Sequence, residues 1–323
     1  MIFRRSERFK GKCSTLAPIF PVEFVTAPPL VSQFCKMDKL DIIDCSNTPT
    51  GTHKDFRSAQ LLEIYGEMNP AFYLITMGNA GYSLGKLAVR YNKGEKGDVQ
   101  VVNIVDVRLD PTIKAALEEV STVIELDLKQ RILTIKELRE IVKKQMNQKR
   151  IVIHAERRAG MYQPFVTQIS MRYSNHDYLV LPIGSGELLS EVLRYIRQTP
   201  CCFPHGPKKI IPVTVEQNIF SEKYQVRNKD SSVADKLVSP TSLFFQTIRE
   251  RFTGNYAVTV SDGEILEAYR IAIQAGIKIE PSAAAVFAGL RKIRLDEGIP
   301  GNAKVAVIST GCGLGYNTAL EPG

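Results

Sequence analysis

The segment Pro49-Thr50-Gly51-Thr52-His53-Lys54-Asp55-Phe56-Arg57 puts a lysine where a loop leads into a helix. It follows the apolar run 40–43, and an apolar pattern over 59–65 typical of a helix comes after it. The positive end of a helix dipole disfavours another positive charge, so we expect the pKa of Lys54 to be lowered. Such a lysine spends time as a free amine, the form that attacks a carbonyl group. Spacing alone leaves open an ordinary surface lysine in a helix cap.

Composition is that of a soluble globular protein. The chain has 323 residues, of which 44% are hydrophobic and 24% charged, enough for two packed layers and two domains. No apolar run reaches the length of a membrane span, and Arg4 and Arg5 precede no apolar core of a secretory signal. We expect a cytoplasmic protein with no membrane partner.

Charge and cysteine content narrow the possible ligands. The net charge is +8, but the basic residues are not interleaved with aromatic ones, so we expect no nucleic-acid partner. An anionic cofactor and an anionic substrate explain part of the positive excess. The six cysteines have no C-x-x-C spacing and no histidines at zinc intervals, which favours free thiols and no metal site.

Short apolar runs alternate with helical patterns along the chain. The runs at 70–75, 100–107, 178–183, 208–216 and 304–308 are typical of buried strands. Alternation of strands and helices at this spacing predicts an α/β fold with parallel sheets.

Two of the strand-to-helix turns contain glycine and could bind an anion. They are Thr76-Met77-Gly78-Asn79-Ala80-Gly81 and Gly184-Ser185-Gly186-Glu187-Leu188. Small residues let backbone N–H groups converge, and the N-terminus of the next helix adds positive potential. Taken alone, each could also be a plain turn.

In this order the segments resemble those of fold-type-II pyridoxal-phosphate enzymes, which include threonine synthases, cysteine synthases, serine and threonine dehydratases and diaminopropionate ammonia-lyase. The lysine segment is similar to the family's P-T-G-x-x-K-D-R, with Phe56 inserted before the arginine. Segment 76–81 is similar to S-S-G-N-T-G, and segment 184–187 to G-x-G-G. Segment 309–314 resembles the T-G-H-G-L end of threonine synthases, and 280–285 resembles the scaffold motif E-P-S-S-A-A.

The resemblance implies a two-domain, three-layer α/β fold with parallel sheets, of the tryptophan synthase β-like type. Residues 41–148 would form a smaller, movable domain that carries Lys54 and the loop for the substrate carboxylate. Residues 1–40 and 149–323 would form the larger, cofactor-binding domain. A homodimer is the expectation for the family.

The resemblance also implies pyridoxal 5'-phosphate as the cofactor, joined to Lys54 as a Schiff base, with Lys54 later moving protons as a base. The other implied cofactor-binding residues are Asn79, Gly184, Ser185, Gly186, Glu187, Leu188 and Thr310. The implied substrate-binding residues are Thr76, Met77, Gly78, Asn79, Ala80 and Arg157. Within these sets, Thr310 would meet the pyridine nitrogen, and Arg157 would hold a substrate phosphate or, alternatively, be a solvated surface residue.

Several residues depart from the family pattern. Met77 and Ala80 stand where hydroxyl residues are usual, and His154 replaces the asparagine of the Arg157 pattern. Glu187 replaces a glycine beside the phosphate, which is unfavourable unless its side chain points away.

Three functions follow as hypotheses. The first is a threonine-synthase-like lyase that expels phosphate from O-phosphohomoserine and adds water. The second is β-replacement or β-elimination on a serine derivative, as in cysteine synthases or ammonia-lyases. The third is a non-catalytic relative, which the departures favour and the intact Lys54 disfavours. A neutral hydroxyl partner at Thr310 suits elimination and replacement more than transamination.

Overall fold

The chain is described by a computed structural model over most of its length. The described residues are 20, 22–95, 97–128, 133–146, 150–156, 160–173, 175–198, 209–225, 232–240, 242–251, 257–296 and 298–314.

The described strands have the following bounds: β1 Glu23–Thr26, β2 Lys39–Asp44, β3 Ala71–Ile75, β4 Gln100–Asp106, β5 Thr122–Leu126, β6 Val152–His154, β7 Tyr178–Pro182, β8 Lys209–Val215, β9 Val258–Val260 and β10 Lys304–Ser309. The described α-helices have the following bounds: α1 Pro29–Cys35, α2 Lys54–Tyr65, α3 Asn79–Glu95, α4 Pro111–Glu118, α5 Ile135–Gln145, α6 Gln163–Tyr173, α7 Glu187–Gln198, α8 Phe245–Arg251, α9 Asp262–Gln274 and α10 Pro281–Asp296.

These strands form two sheets. The larger has the order β1-β2-β10-β7-β8-β9, and the smaller has the order β5-β4-β3-β6. All strand pairs are parallel except β1 with β2, where the edge strand runs antiparallel. The predicted α/β fold with parallel sheets is confirmed.

Helices cover both faces of the larger sheet, which makes three layers. On the central strand β10, Val305 and Val307 belong to the hydrophobic core shared with α1, α9 and α10. Ala306 and Ile308 belong to the core on the opposite face, with α6 and α7. Burial on both faces explains why 304–308 is an unbroken apolar run. Each buried valine or isoleucine side chain stabilises the fold by about 1.5–3 kcal/mol.

The smaller sheet is also covered on two sides. Phe72 and Leu74 pack with residues of α2 and α3, whereas Tyr73 packs with residues of α5. Its helices therefore complete a second three-layer unit beside the first.

The sheets divide the chain at other points than the expected domain boundaries. β2 extends past residue 41 yet lies in the larger sheet, and β6 follows residue 148 yet pairs with β3 in the smaller sheet. The chain changes sheets between β2 and β3 and again between β6 and β7. Apolar runs do not identify a strand's neighbours, which explains why the sequence placed both junctions differently.

No α-helix in the described ranges is long and apolar enough to cross a membrane. The same residues contain no group of histidine, cysteine, aspartate and glutamate side chains that could hold a metal ion. Cys35, Cys45 and Cys312 are buried, and no disulfide joins them.

Candidate active site

Three loops meet at the carboxyl edge of the larger sheet. The adjacent parallel strands β2, β10 and β7 lead, respectively, to Lys54, to Thr310 and to the glycine loop 184–187. Parallel strands all end at the same edge, which is where open α/β sheets bind ligands. Three groups that are far apart in sequence are therefore brought together.

The lysine segment and the strand end 310–312 are joined by backbone contacts. The N–H of His53 donates to the carbonyl oxygen of Thr310 at 3.0 Å, and the N–H of Cys312 donates to that of Gly51 at 2.9 Å. Gly311 has φ +120°, and a Cβ there would lie 2.0 Å from the Gly51 carbonyl oxygen. Only glycine permits this approach, so the Thr-Gly dipeptide holds the lysine loop against β10.

Lys54 is the first residue of α2, as the sequence predicted, and 19% of its side chain is exposed. Its Nζ lies 3.8 Å from Oε2 of Glu187 and 5.6 Å from the ring centroid of Tyr162. Burial lowers the pKa of Lys54, Glu187 opposes this, and the positive charge of Arg57 lowers it further. The direction agrees with the prediction, but burial is the leading cause, whereas the sequence argument invoked the helix dipole.

Asp55 fixes the position of the lysine segment. Its fully buried carboxylate accepts hydrogen bonds from the N–H of Thr50 at 2.7 Å and the hydroxyl of Thr50 at 2.6 Å. It also accepts one from the hydroxyl of Ser83, on α3, at 2.6 Å. These bonds tie the start of α2 to its own loop and to the helix that follows β3.

Asn79 is the first residue of α3, and both ends of its amide are paired. Nδ2 donates to Oε1 and Oε2 of Glu280 at 3.2 and 3.1 Å, and Oδ1 accepts from the N–H of Leu314 at 2.9 Å. Burial raises the pKa of Glu280 to about 7, although Lys236 and the Asn79 hydrogen bond oppose the shift. The sequence assigned Glu280 to a scaffold motif, but its carboxyl group lies in the candidate site.

Thr76 holds the loop 76–81, which was expected to bind a carboxylate, in a tight turn. Its Oγ1 accepts hydrogen bonds from the N–H groups of Gly78 at 3.0 Å and Gly81 at 3.2 Å. Met77 is 44% exposed, and Ala80 has no polar side-chain atom. The N–H groups of Asn79 and Ala80 lie in the first turn of α3, where no intrahelical acceptor exists. Backbone N–H groups are therefore the donors that the start of α3 offers to an anion, and the O–H of Thr76 is the one hydroxyl donor of loop 76–80.

The carbonyl groups of the glycine loop are hydrogen-bonded on one side of the loop, which leaves its N–H groups pointing to the other side. Nδ2 of Asn218 donates to the carbonyl oxygens of Ile183 and Gly184 at 3.1 and 3.0 Å, and Ser242 donates to that of Ser185. In a trans peptide the C=O and the next N–H point in opposite directions. The N–H groups of 184–186 therefore point away from Asn218 and Ser242.

Two residues that end the glycine loop differ in orientation. Leu188 packs its side chain into the core, so only its backbone can contact a ligand. Glu187 does not point away from the site as the sequence argument required. Its buried carboxylate meets Nη1 of Arg57 at 3.0 Å as well as Lys54.

Arg57 is fully buried on α2, and its Nη1 also lies 3.7 Å from Oε1 of Glu156. Positions three apart lie on the same face of a helix, so the insertion of Phe56 puts Arg57 on the face of Lys54. That spacing is a signal for Arg57 that the sequence contains. The pairing with Glu187 has no signal in the sequence.

His53 and Tyr162 also belong to the site and were not predicted. Their rings stack with centroids 5.5 Å apart and an interplanar angle of 19°. Burial lowers the pKa of His53 well below its usual value, so the ring is neutral. Its Nδ1 lies 3.3 Å from the carbonyl oxygen of Thr310, which can only accept, so Nδ1 carries the hydrogen.

Arg157, expected to hold a substrate phosphate, lies outside the described residues. Its role stays a prediction. Gly160 of the same pattern is described: it has φ +89°, and its N–H donates to Oε2 of Glu191 at 2.9 Å.

The site suits the phosphorylated aldehyde that the sequence resemblance implies. Nε and Nη2 of Arg57 and Oη of Tyr162 are buried and have no hydrogen-bond partner among the described residues. They belong to the cluster of Lys54 and Glu187 at the N-terminus of α7. Buried donors without acceptors are costly, and a phosphate group would supply charged acceptor oxygens beside the amine that an aldehyde needs.

Comparisons with solved structures agree with this architecture. Maize serine racemase is 15% identical over 92% of this chain and 89% of its own, with a TM-score of 0.71. Threonine deaminase isoform 2 from Solanum lycopersicum is 16% identical, covers 92% and 84%, and has a TM-score of 0.68. The O-acetylserine-dependent cystathionine β-synthase from Helicobacter pylori is 16% identical, covers 94% of both chains, and has a TM-score of 0.69. At these identities the likeness shows the fold alone.

No curated protein matches the sequence at a significant level. The model of the family described as "Pyridoxal-phosphate dependent enzyme" matches residues 29–311, a span that includes Lys54, Asn79, the glycine loop and Thr310. The chain therefore belongs to the family of pyridoxal-phosphate-dependent enzymes, in its fold-type-II form.

Proposed function

We propose that the protein is a lyase that acts on an amino acid by elimination or replacement. The observation that carries this proposal is the convergence of the partly buried amine of Lys54 with the neutral hydroxyl residue Thr310 at the end of β10. The cofactor, when bound, withdraws electrons from the α-carbon of the substrate, and a neutral partner for its ring suits elimination more than transamination.

Lys54 is the proposed base that takes the α-proton. Its lowered pKa, for which burial is the leading cause, increases the fraction of free amine near neutral pH. The carboxylate of Glu187 at 3.8 Å opposes that effect and stabilises the protonated form. An amine balanced in this way can accept a proton and return it later in the same cycle.

The loop 76–80 is the proposed substrate-carboxylate site, with backbone N–H groups at the start of α3 as donors. Asn79 and Thr310 are the proposed contacts of the cofactor ring, and 184–188 those of its phosphate. Movement of the smaller sheet and its helices toward the larger would exclude water from the site.

For the substrate we propose O-phosphohomoserine, converted to threonine and phosphate. The Thr310-Gly311-x-Gly313-Leu314 end and the predicted role of Arg157 support this choice. The positive net charge is consistent with a phosphorylated substrate.

A β-substituted serine derivative is the second candidate. The one observation that favours it is that the loop has a single side-chain hydroxyl, that of Thr76, whose oxygen accepts from the N–H groups of Gly78 and Gly81, while Met77 and Ala80 have none. A small substrate can bind such a loop through its carboxylate and backbone donors alone.

Product analysis tests both candidates. The full-length holoenzyme is incubated separately with O-phosphohomoserine and O-acetylserine, and phosphate, threonine and keto acid are measured. We expect equal amounts of phosphate and threonine from the first substrate. Keto acid or a replacement product from O-acetylserine, with no phosphate release from the other, would establish the second candidate instead. No turnover of either substrate would overturn the proposal.

Assembly and location are proposed on family grounds only. We propose a cytoplasmic homodimer without a nucleic-acid partner. Light scattering on the protein as it elutes from a size-exclusion column should give twice the mass of one chain. The mass of a single chain would contradict the proposed dimer.

A further inference from the structure

We propose that Arg57 binds the phosphate group of the cofactor through its side chain, and that Glu187 orients the guanidinium for this contact. The inference rests on the cofactor of the family and not on the choice of reaction. It adds a charged side chain to a phosphate site that the sequence assigns to residues 184–188.

The position of Arg57 is the first argument. Nη1 of Arg57 lies 3.0 Å from Oε2 of Glu187, the first residue of α7, directly after Gly186. The guanidinium therefore lies at the N-terminus of α7, where the helix favours an anion. Nζ of Lys54 lies 3.8 Å from the same carboxylate oxygen, so the amine and the guanidinium both contact Oε2 of Glu187.

The unused donors are the second argument. Arg57 is 0% exposed, and its Nη1 pairs with Glu187 and Glu156. Nε and Nη2 have no hydrogen-bond partner among the described residues. They carry three of the five guanidinium hydrogens and form one edge of a rigid fork. Such an edge pairs with two oxygens of a phosphate in parallel hydrogen bonds.

The charges around Arg57 are nearly balanced. Two cations, Lys54 and Arg57, and the N-terminus of α7 face two carboxylates, Glu187 and Glu156. Burial raises the pKa of Glu156 and lowers the pKa of Lys54, so it reduces the charge of one carboxyl group and of one amine. The guanidinium of Arg57 stays charged, and it is therefore the group that can bind a further anion beside Glu187.

The two departures from the family pattern explain each other on this basis. The insertion of Phe56 moves the arginine onto the face of Lys54, and the glutamate at 187 then provides its ion-pair partner. Each residue is the nearest ion-pair partner of the other at 3.0 Å, with Glu156 and Lys54 as further partners at 3.7 and 3.8 Å, and such pairing offsets the cost of burying a charge.

A phosphate monoester could come from the cofactor or from a phosphorylated substrate. The proximity of Arg57 to the glycine loop favours the cofactor, and the experiment separates the two. Equilibrium dialysis of the cofactor-free full chain measures the affinity for pyridoxal 5'-phosphate, for pyridoxal, which lacks the phosphate, and for O-phosphohomoserine.

We expect Arg57→Gln to weaken the binding of pyridoxal 5'-phosphate by about ten-fold or more, because charged hydrogen bonds are lost. Pyridoxal binding should change by less than about two-fold, since it has no group for Arg57 to bind. Arg108→Gln removes an arginine that is paired at the surface with Asp106 and Asp127, and it should leave both affinities unchanged.

Arg57→Gln could misfold because it removes the nearer of the two cations that pair with the buried carboxylate of Glu187. The double variant Arg57→Gln/Glu187→Gln removes both charges and should show the same selective loss. Equal weakening of pyridoxal 5'-phosphate and pyridoxal, or no weakening of either, would overturn the proposal. So would a loss confined to O-phosphohomoserine, which would assign Arg57 to the substrate. Because no turnover is measured, failure here is separate from failure of the proposed reaction.

Discussion

The two ends of the candidate site differ in how their buried polar groups are paired. At one end, Asn79 bonds Glu280 and Leu314 with both halves of its amide. At the other end, Arg57 and Glu187 bond each other, yet within the described part of the chain two nitrogens of Arg57 and one oxygen of Glu187 are buried without a hydrogen-bond partner. We call these the amide end and the phosphate end. The protein builds the amide end from its own groups, whereas the phosphate end, on our proposal, needs an anion to complete it.

The difference also concerns charge. The amide end contains one carboxyl group, Glu280, whose pKa burial raises to about 7. The phosphate end holds two cations and two carboxyl groups. Substitutions at the two ends should therefore have different effects: those at the amide end on stability, and those at the phosphate end on ligand binding and proton transfer.

The largest effect is expected from removing the amine at the phosphate end. Lys54→Ala should lower the rate of any elimination by at least about 1,000-fold, because it deletes both the nucleophile and the proposed base. The visible absorption of the cofactor-bound protein should also disappear. Lys86→Ala, on the outer side of α3, is the matched control and should keep both. Retained activity in Lys54→Ala would show that the phosphate end does not contain the catalytic amine, and would contradict the comparison of the two ends.

At the amide end, Glu280→Gln should change how stability depends on pH. The pKa of Glu280 rises from 4.5 to about 7 on folding, so the folded chain binds an extra proton between these values. The free energy of unfolding of the wild type should therefore fall as pH rises through this window, by up to about 3 kcal/mol from this group. Lys236, Asp235, Asn79 and Lys54 are the groups that interact with it.

Urea unfolding of the cofactor-free protein at several pH values measures that slope. Asp44 and Glu156 also have a raised pKa, so the informative quantity is the difference between the wild type and Glu280→Gln. In Glu280→Gln, the free energy of unfolding should fall less steeply as the pH rises than it does in the wild type. If the free energies of unfolding of the wild type and the variant changed with pH in parallel, the raised pKa of Glu280 would be contradicted.

A smaller loss of stability is expected from Asn79→Ala. It removes the amide that donates to Glu280 and accepts from the N–H of Leu314, and it leaves both groups buried. Unpaired groups of this kind cost about 1–3 kcal/mol. Thermal unfolding of the cofactor-free protein measures the loss, and Asn92→Ala, which breaks two bonds to Val99 away from the site, provides a reference. An unchanged midpoint would mean that the amide end is not held by this contact.

The smallest effect is expected from Glu187→Gln on the titration of Lys54. The carboxylate of Glu187 is the principal group that raises the pKa of Lys54 against burial. Its removal should shift the pKa of Lys54 downward, so the amine reacts with pyridoxal at lower pH. The pH dependence of that reaction rate gives the midpoint, and Glu118→Gln, which removes an exposed carboxylate paired with Lys114 on α4, should leave it unmoved. An upward shift would contradict the ion pair.

Much of the fold could be predicted from the chain because its signals are local. The runs at 178–183 and 304–308 became the buried strands β7 and β10, since burial on both faces requires apolar residues throughout. The position of Lys54 at the start of α2 followed from a loop signal and a helical pattern next to each other. The sheet to which β2 and β6 belong could not be predicted, because strand pairing joins residues that are distant in sequence.

The amino-acid sequence was sufficient for the long apolar strands β3, β4, β7, β8 and β10, the start of the lysine helix and the family, because hydrophobic periodicity and short motifs are properties of neighbouring residues. Only folding produced the contacts of Arg57 with Glu187 and of Asn79 with Glu280, across 130 and 201 positions of the chain. The reason is physical: a buried charge or amide must find a partner, and that partner is whichever group the packing of helices and sheets brings near.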